Sequence, residues 1–148
     1  MNGLHLIGDL TGCRCDPQLL LDGESFRAKC IEMVAAAGLT TMDASFHTFE
    51  GGGFTGTVVL AESHLAIHTW PERQGLTLDV YVCNYSADNS GKARKLFDSI
   101  VDYFQPTEIA RQEVDRGEHL LMEPLNASTG FHIKATKQIG EWQTRFQK

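Results

Sequence analysis

Two histidines, His64 and His68, stand four residues apart in the segment VVLAESHLAIHTWPE at positions 58–72. Directly before them lies the step Glu62–Ser63, and the later segment LDVYVC carries Asp79, Tyr81 and Cys83. A hydroxyl, two imidazoles, a phenol, two carboxylates and a thiol are the groups of nucleophilic, acid–base and metal chemistry. Spacing removes the metal option for the histidine pair. Residues four apart on a strand are separated by about 13 Å, whereas each ligand of one ion lies about 2 Å from it. Neighbouring β-branched residues and Pro71 argue against the helix that would bring the two rings together, so no metal is expected. Cys13 and Cys15 carry groups able to bind metal or to oxidise, but no second ligand pair accompanies them, and they read as turn cysteines. Taken singly, a strand histidine is ordinarily a surface or hydrogen-bonded residue and a lone cysteine a small buried hydrophobe. Residue type alone therefore leaves these roles open.

The elements that must position these groups follow from periodicity. LHLIGDL alternates at period two and reads as a first strand. GESFRAKCIEMVAAAG reads as a helix, with Phe26, Cys30, Met33 and Val34 or Ala37 on one stripe and Gly38 closing it. TTMDASFHTFE, FTGTVVLAES, HLAIHTW and LTLDVYVC read as strands, with a Gly-rich turn at 51–53 and another at Pro71–Gly75. NSGKARKLFDSIVDYFQP reads as a second helix with Leu96, Ile100, Val101 and Phe104 as its stripe, stopping before Pro106. TEIARQEVDRG reads as a last strand. The expected fold class is α+β, a two-layer sandwich of an antiparallel sheet with two helices on one face.

Alternation then sorts the candidate groups. Leu65 and Ile67 of one strand, and Leu76, Leu78, Val80 and Val82 of the next, should lie under the helices. His64, Ala66, His68, Trp70, Thr77, Asp79, Tyr81 and Cys83 should point to the helix-free face, which must meet solvent, a ligand or a second copy of the chain.

The 148 residues suit one domain with its own core, and 42% hydrophobic content is ordinary for a globular protein. A net charge of -6, from 13 Lys and Arg against 19 Asp and Glu, argues against nucleic-acid binding, which calls for a basic patch. The N-terminal segment lacks a basic region and Asp9 interrupts its apolar run, so no signal peptide is expected. No run reaches the roughly 20 apolar residues of a membrane span. Four cysteines without zinc-site or secreted-scaffold spacing fit a reduced, soluble, cytoplasmic protein.

The run ESHLAIHTWPE followed by LDVYVC, with SFHTF, the Gly-rich turn and GTVVLAESH in order, resembles the prokaryotic class of pyruvoyl-dependent S-adenosylmethionine decarboxylase proenzymes. The resemblance covers about residues 3–120; the CRC turn is longer by two residues than the usual GCDP form. It implies autocleavage between Glu62 and Ser63, with Ser63 becoming a covalent pyruvoyl group that forms a Schiff base with substrate, and no dissociable cofactor. It implies that His68 handles a proton during self-cleavage, a task suited to an imidazole titrating near neutral pH, and that Cys83 is the catalytic proton donor. It places Phe49 and Glu72 in the substrate pocket, as adenine stack and ribose contact. Thr55 stands where the family often has Ser and would assist processing. The half-sandwich members form homodimers with active sites near the interface.

Residues 121–148 extend past this core and resemble the start of spermidine synthase, which consumes decarboxylated S-adenosylmethionine. The expected organisation is a decarboxylase-like domain over 1–120 and an extension over 121–148, fused or coupled to that synthase. Two alternatives keep other functions open: a pyruvoyl-dependent decarboxylase of ornithine or arginine, and an unprocessed, non-catalytic partner protein. Phe49 argues mildly against the first. The presence of Ser63, His68 and Cys83 gives the second no support.

Overall fold

The computed structural model describes residues 2–117. The expected extension at 121–148 lies outside the described residues. In chain order the elements are β1 (Gly3–Thr11), α1 (Gln18–Leu21), α2 (Gly23–Ala36), β2 (Thr41–Thr48), β3 (Phe54–Leu60), β4 (Ser63–Trp70), a 3-10 turn (Pro71–Arg73), β5 (Gly75–Cys83), α3 (Ser90–Phe104) and β6 (Glu108–Arg116). The six strands form one sheet in the order β2-β3-β4-β5-β1-β6, and every neighbouring pair is antiparallel. This is the expected α+β sandwich. Helix α1, four residues long, is an element the sequence periodicity does not predict.

Helix α2 starts at Asp22, whose carboxylate accepts from the amides of Glu24 and Ser25 at 3.1 Å each. Such a cap satisfies amides that the first turn of a helix leaves without a partner. Its stripe of Phe26, Cys30, Met33 and Val34 is buried. Helix α3 buries Ala93, Leu96, Phe97, Ile100 and Phe104, while Val101 is only half-buried. The helix ends with Gln105 in the left-handed region, ahead of Pro106. Both stripes meet the inward residues of the sheet, including Leu6, Leu10, Val58, Leu65, Ile67, Leu78 and Val80, all fully buried. Phe26 sits at the centre of an aromatic cluster, 5.5 Å from Phe54 and 5.3 Å from Phe104 by ring centroids.

The sheet admits α3 because one position carries no side chain. A Cβ at Gly8 would lie 2.5 Å from the Phe97 ring. In a Ser63→Ala chain, which the expected self-cleavage leaves whole, Gly8→Ala should cost about 1–3 kcal/mol. Thermal unfolding should show this as a melting temperature several degrees lower. An unchanged melting temperature would mean that Phe97 does not rest on the strand at Gly8.

The loop after β1 is tied down by its backbone: Cys13 N–H donates to Gln74 O at 2.9 Å and Arg14 N–H to Gln105 O at 3.0 Å. All four cysteines are free thiols. Burial pushes Cys13 up to about 11 and Cys30 up to about 12, which keeps both thiols neutral near pH 7.

Candidate active site

The register of β3, β4 and β5 decides which groups share the open face. Leu65 and Ile67 are fully buried beneath the helices, whereas His64, His68 and Trp70 are exposed on the other side. Across the strands, His64 stands opposite Tyr81 and Val59, and His68 opposite Thr77 and Thr55.

Glu62–Ser63 lies at the end of a hairpin, where the sequence had suggested the last residues of a strand. Leu60 pairs with Ser63, so Ala61 and Glu62 form the turn between β3 and β4. Ser63 has φ 139°, a region that strongly favours glycine and costs another residue about 1–3 kcal/mol. Alternation would place Ser63 with Leu65 under the helices. Instead its Oγ lies 3.4 Å from Nδ1 of the exposed His64. The carbonyl oxygen of Glu62 accepts a hydrogen bond from Cys83 N–H at 2.8 Å. The peptide bond joining these two residues is therefore polarised at its carbonyl and strained at its amide side.

The Glu62 carboxylate is held by the β5–α3 loop. It accepts from Ser86 Oγ, from the amides of Tyr85 and Ser86 at 3.3 and 3.4 Å, and from Asn89 Nδ2 at 2.8 Å. The Ser86 hydroxyl, ahead of the backbone and Asn89 donors, holds this carboxyl below its usual range.

Cys83 extends the same end of the open face. Its sulfur lies in hydrogen-bond contact with Tyr81 Oη at 3.4 Å. That contact, ahead of burial, raises the Tyr81 phenol above its ordinary value, so it stays protonated. The Arg116 guanidinium lies over the Tyr81 ring at 4.3 Å and donates to His5 Nδ1 at 3.1 Å. With Nδ1 accepting, His5 Nε2–H donates to Asp79 Oδ1, also at 3.1 Å. Burial lowers the His5 pKa despite Asp79, which fits a neutral ring in this tautomer.

The remaining sequence candidates gather at the opposite end. Thr55 Oγ1 and His68 Nδ1 are in close hydrogen-bond contact. Phe49, 49% exposed, packs edge-on against His47 at 4.8 Å, and Trp70 lies 6.2 Å from the His68 ring. Glu72 is exposed in the 3-10 turn. The two turns carrying Phe49 and Glu72 abut, since a Cβ at Gly53 would lie 3.0 Å from Pro71 Cδ. His68 is five residues from Ser63, which along a strand is about 16 Å. Within one chain, then, Glu62, Ser63 and Cys83 form one group, and Thr55, His68, Phe49 and Glu72 form another that does not reach it.

Comparison with known proteins settles the family. The profile of the family described as S-adenosylmethionine decarboxylase matches residues 4–117. The chain belongs to the S-adenosylmethionine decarboxylase family. It is 38% identical over 115 residues to the S-adenosylmethionine decarboxylase proenzyme of Hydrogenobaculum sp., covering 78% of this chain and 81% of that one. The proenzyme of Aquifex aeolicus is likewise 38% identical over 116 residues, covering 78% and 81%. The crystal structure of the adenosylmethionine decarboxylase from Aquifex aeolicus superposes with a TM-score of 0.68 at 35% identity, covering 84% of this chain and 96% of that one.

Within this S-adenosylmethionine decarboxylase fold, sequence reasoning missed Ser86 and Asn89, which grip Glu62, and His5 and Arg116, which back Tyr81. The polar run NYSADNS between β5 and α3 was the available signal for the first pair. The second pair sits on strands far from β5 in sequence and is joined to it only by the sheet order. No helix among the described residues is long and apolar enough to cross a membrane.

Proposed function

We propose that the chain is a self-cleaving, pyruvoyl-dependent decarboxylase of S-adenosylmethionine that makes the aminopropyl donor for spermidine synthesis. One observation carries the reading: in a member of this family, a serine at φ 139° follows a carbonyl already held by the Cys83 amide. Neither alternative raised by the sequence, an ornithine or arginine decarboxylase or a non-catalytic partner, is favoured by this membership.

Self-cleavage follows from the groups present. Ser63 Oγ attacks the Glu62 carbonyl carbon; an O–C bond forms, the C–N bond breaks, and the freed amine takes the proton. Cys83 N–H stabilises the oxygen that becomes negative in that step. Loss of the Ser63 α-proton then breaks the Cβ–Oγ bond and releases Glu62 as a free carboxylate. Water finally replaces the amine as ammonia. Both the hydroxyl and the strained backbone of Ser63 fit the formation of a pyruvoyl group. Once formed, its carbonyl supplies an electron sink for departing carbon dioxide. Cys83, its thiol held on the open face, delivers the proton to the substrate α-carbon. Protonation at another atom would transaminate the group and end activity.

Thr55 and His68 need a route to Ser63. We place them on a second copy. A two-fold axis lying between two open faces, and running across the strands, brings the His68 end of one chain over the Ser63 end of the other, twice. The open face offers Ile7, Ala66, Val59 and Val114 for such a contact. His68 and Thr55 of one copy then serve proton transfer at Ser63 of the other. Phe49 stacks on the adenine and Glu72 binds the ribose hydroxyls there. The four free thiols fit a reducing cytoplasm. The resemblance of residues 121–148 to the start of spermidine synthase supports coupling to the enzyme that consumes the product.

Intact mass under denaturing conditions tests the reading. Two fragments meeting at Glu62–Ser63, the second with a blocked N-terminus, are expected; a single intact mass would overturn it. Cys83→Ala should still yield both fragments, because its backbone amide remains. Its decarboxylation should fall about 100-fold or more with loss of the general acid. Wild-type turnover in that variant would remove the proton-donor assignment.

A further inference from the structure

Asn89 is 4% exposed and uses its carboxamide fully. Nδ2 donates to Glu62 Oε2 at 2.8 Å and to the backbone oxygen of Cys83 at 2.9 Å. Oδ1 accepts from Lys92 Nζ at 3.0 Å. An ammonium group can only donate, and a carboxylate or carbonyl oxygen can only accept, so Lys92, Glu62 and Cys83 together fix which way the amide faces, with its NH2 on Glu62 and Cys83. Asn89 also precedes α3 without capping it through its side chain. That side chain is committed to the scissile turn rather than to the helix.

The connection closes a ring. Cys83 N–H holds the Glu62 carbonyl, Asn89 holds the Cys83 carbonyl, and the same Asn89 amide group holds the Glu62 carboxylate. Glu62 is thus restrained at its backbone and at its side chain against one short segment. A two-residue turn free to relax would let Ser63 leave its left-handed φ and carry Oγ away from its target.

We infer that Asn89 is a positioning residue for self-cleavage, clamping Glu62 so that the scissile carbonyl stays on the Cys83 amide while Ser63 is held strained. This rests on the reading of Glu62–Ser63 as the cleavage site. Asn89 does not touch the reacting atoms; it acts through Glu62 and Cys83. The clamp acts before the bond is cut, so it governs the rate at which the precursor matures.

The test is a time course of conversion of freshly synthesised full-length chain into its two fragments, followed by mass at fixed pH. Displacing reacting groups by about 1 Å can cost on the order of 100-fold in rate, so Asn89→Ala should slow cleavage about 10- to 100-fold. Asn89→Asp sets a carboxylate against the Glu62 carboxylate. Its rate relative to wild type should rise as pH falls toward the carboxylate range, a profile that loss of packing would not produce. In a Glu62→Ala chain, where the clamp keeps only the Cys83 carbonyl, Asn89→Ala should slow cleavage several-fold less than it does with Glu62 present, as expected for residues acting partly as one unit. Should Asn89→Ala fail to fold, Lys92→Met removes one of the three groups that orient the amide and should slow cleavage several-fold, again by less when Glu62 is absent. Cleavage of Asn89→Ala within 2-fold of wild type, or equal slowing by Asn89→Ala or Lys92→Met with and without Glu62, would overturn the inference. A wild-type chain that never cleaves would instead sink the cleavage-site reading itself.

Discussion

Replacing Ser63 by alanine leaves one uncut chain with no decarboxylase activity. Alanine keeps the Cβ and so the packing of the turn, but it removes the only atom of that side chain able to attack the Glu62 carbonyl. Mass spectrometry and a carbon dioxide release assay read the two losses together. The same position reports on strain. Ser63 sits at φ 139°, which costs a residue with a Cβ about 1–3 kcal/mol. Glycine accepts that φ but loses more backbone freedom on folding, about 0.5–1 kcal/mol. On balance Ser63→Gly should be about 1 kcal/mol more stable than Ser63→Ala in denaturant unfolding. A less stable glycine variant would mean that the turn holds no strain, and a cut Ser63→Ala chain would mean that the nucleophile lies elsewhere.

Two inactive chains should rescue each other. Alone, His68→Ala should cleave about 100-fold more slowly or worse, the loss typical of an acid–base group, and Ser63→Ala should not cleave at all. Co-expressed, they form mixed dimers in which one site unites the intact Ser63 of the His68→Ala chain with the intact His68 of its partner. Random pairing of equal amounts makes about half of all dimers mixed, so about half of the His68→Ala chains should appear as fragments. The proposed pairing of two copies predicts this result, because Ser63 and His68 stand at opposite ends of the open face, about 16 Å apart along β4. Mixed dimers captured by two different tags, yet uncut, would show that His68 acts within its own chain.

Much of this arrangement was legible in the residues. Strict alternation in HLAIHTW and LTLDVYVC assigned Leu65, Ile67, Leu78 and Val80 to the core and His68, Asp79, Tyr81 and Cys83 to the open face, where the structure has them. The stripe of α2 and the stop of α3 before Pro106 followed the same kind of rule. The turn at Ala61–Glu62 escaped notice because neither residue has turn chemistry. Its conformation is imposed by Ser86 and Asn89, more than twenty residues away in sequence. The short helix α1 escaped because four residues are too few to show a period. The separation of His68 from Ser63 follows from strand rise. What it implies emerges only once Thr55, Phe49 and Glu72 are seen to gather with His68 at the far end.

The hairpin position of the proposed cut has a consequence for how the molecule persists. Strand β4 lies between β3 and β5, and its ladders with both begin at Ser63. Severing the chain there removes a covalent link and leaves the interwoven halves in place. Before the cut, closing a two-residue turn costs little loop entropy. After it, two separate polypeptides must find each other, at an association cost estimated at about 4–15 kcal/mol. With the chain cut as proposed, maturation works as a ratchet. The protein folds once, as a precursor, and afterwards survives by the slowness of its unfolding rather than by an equilibrium it can re-enter. A matured molecule that loses its sheet in dilute solution is lost for good, and only newly synthesised precursor replaces it.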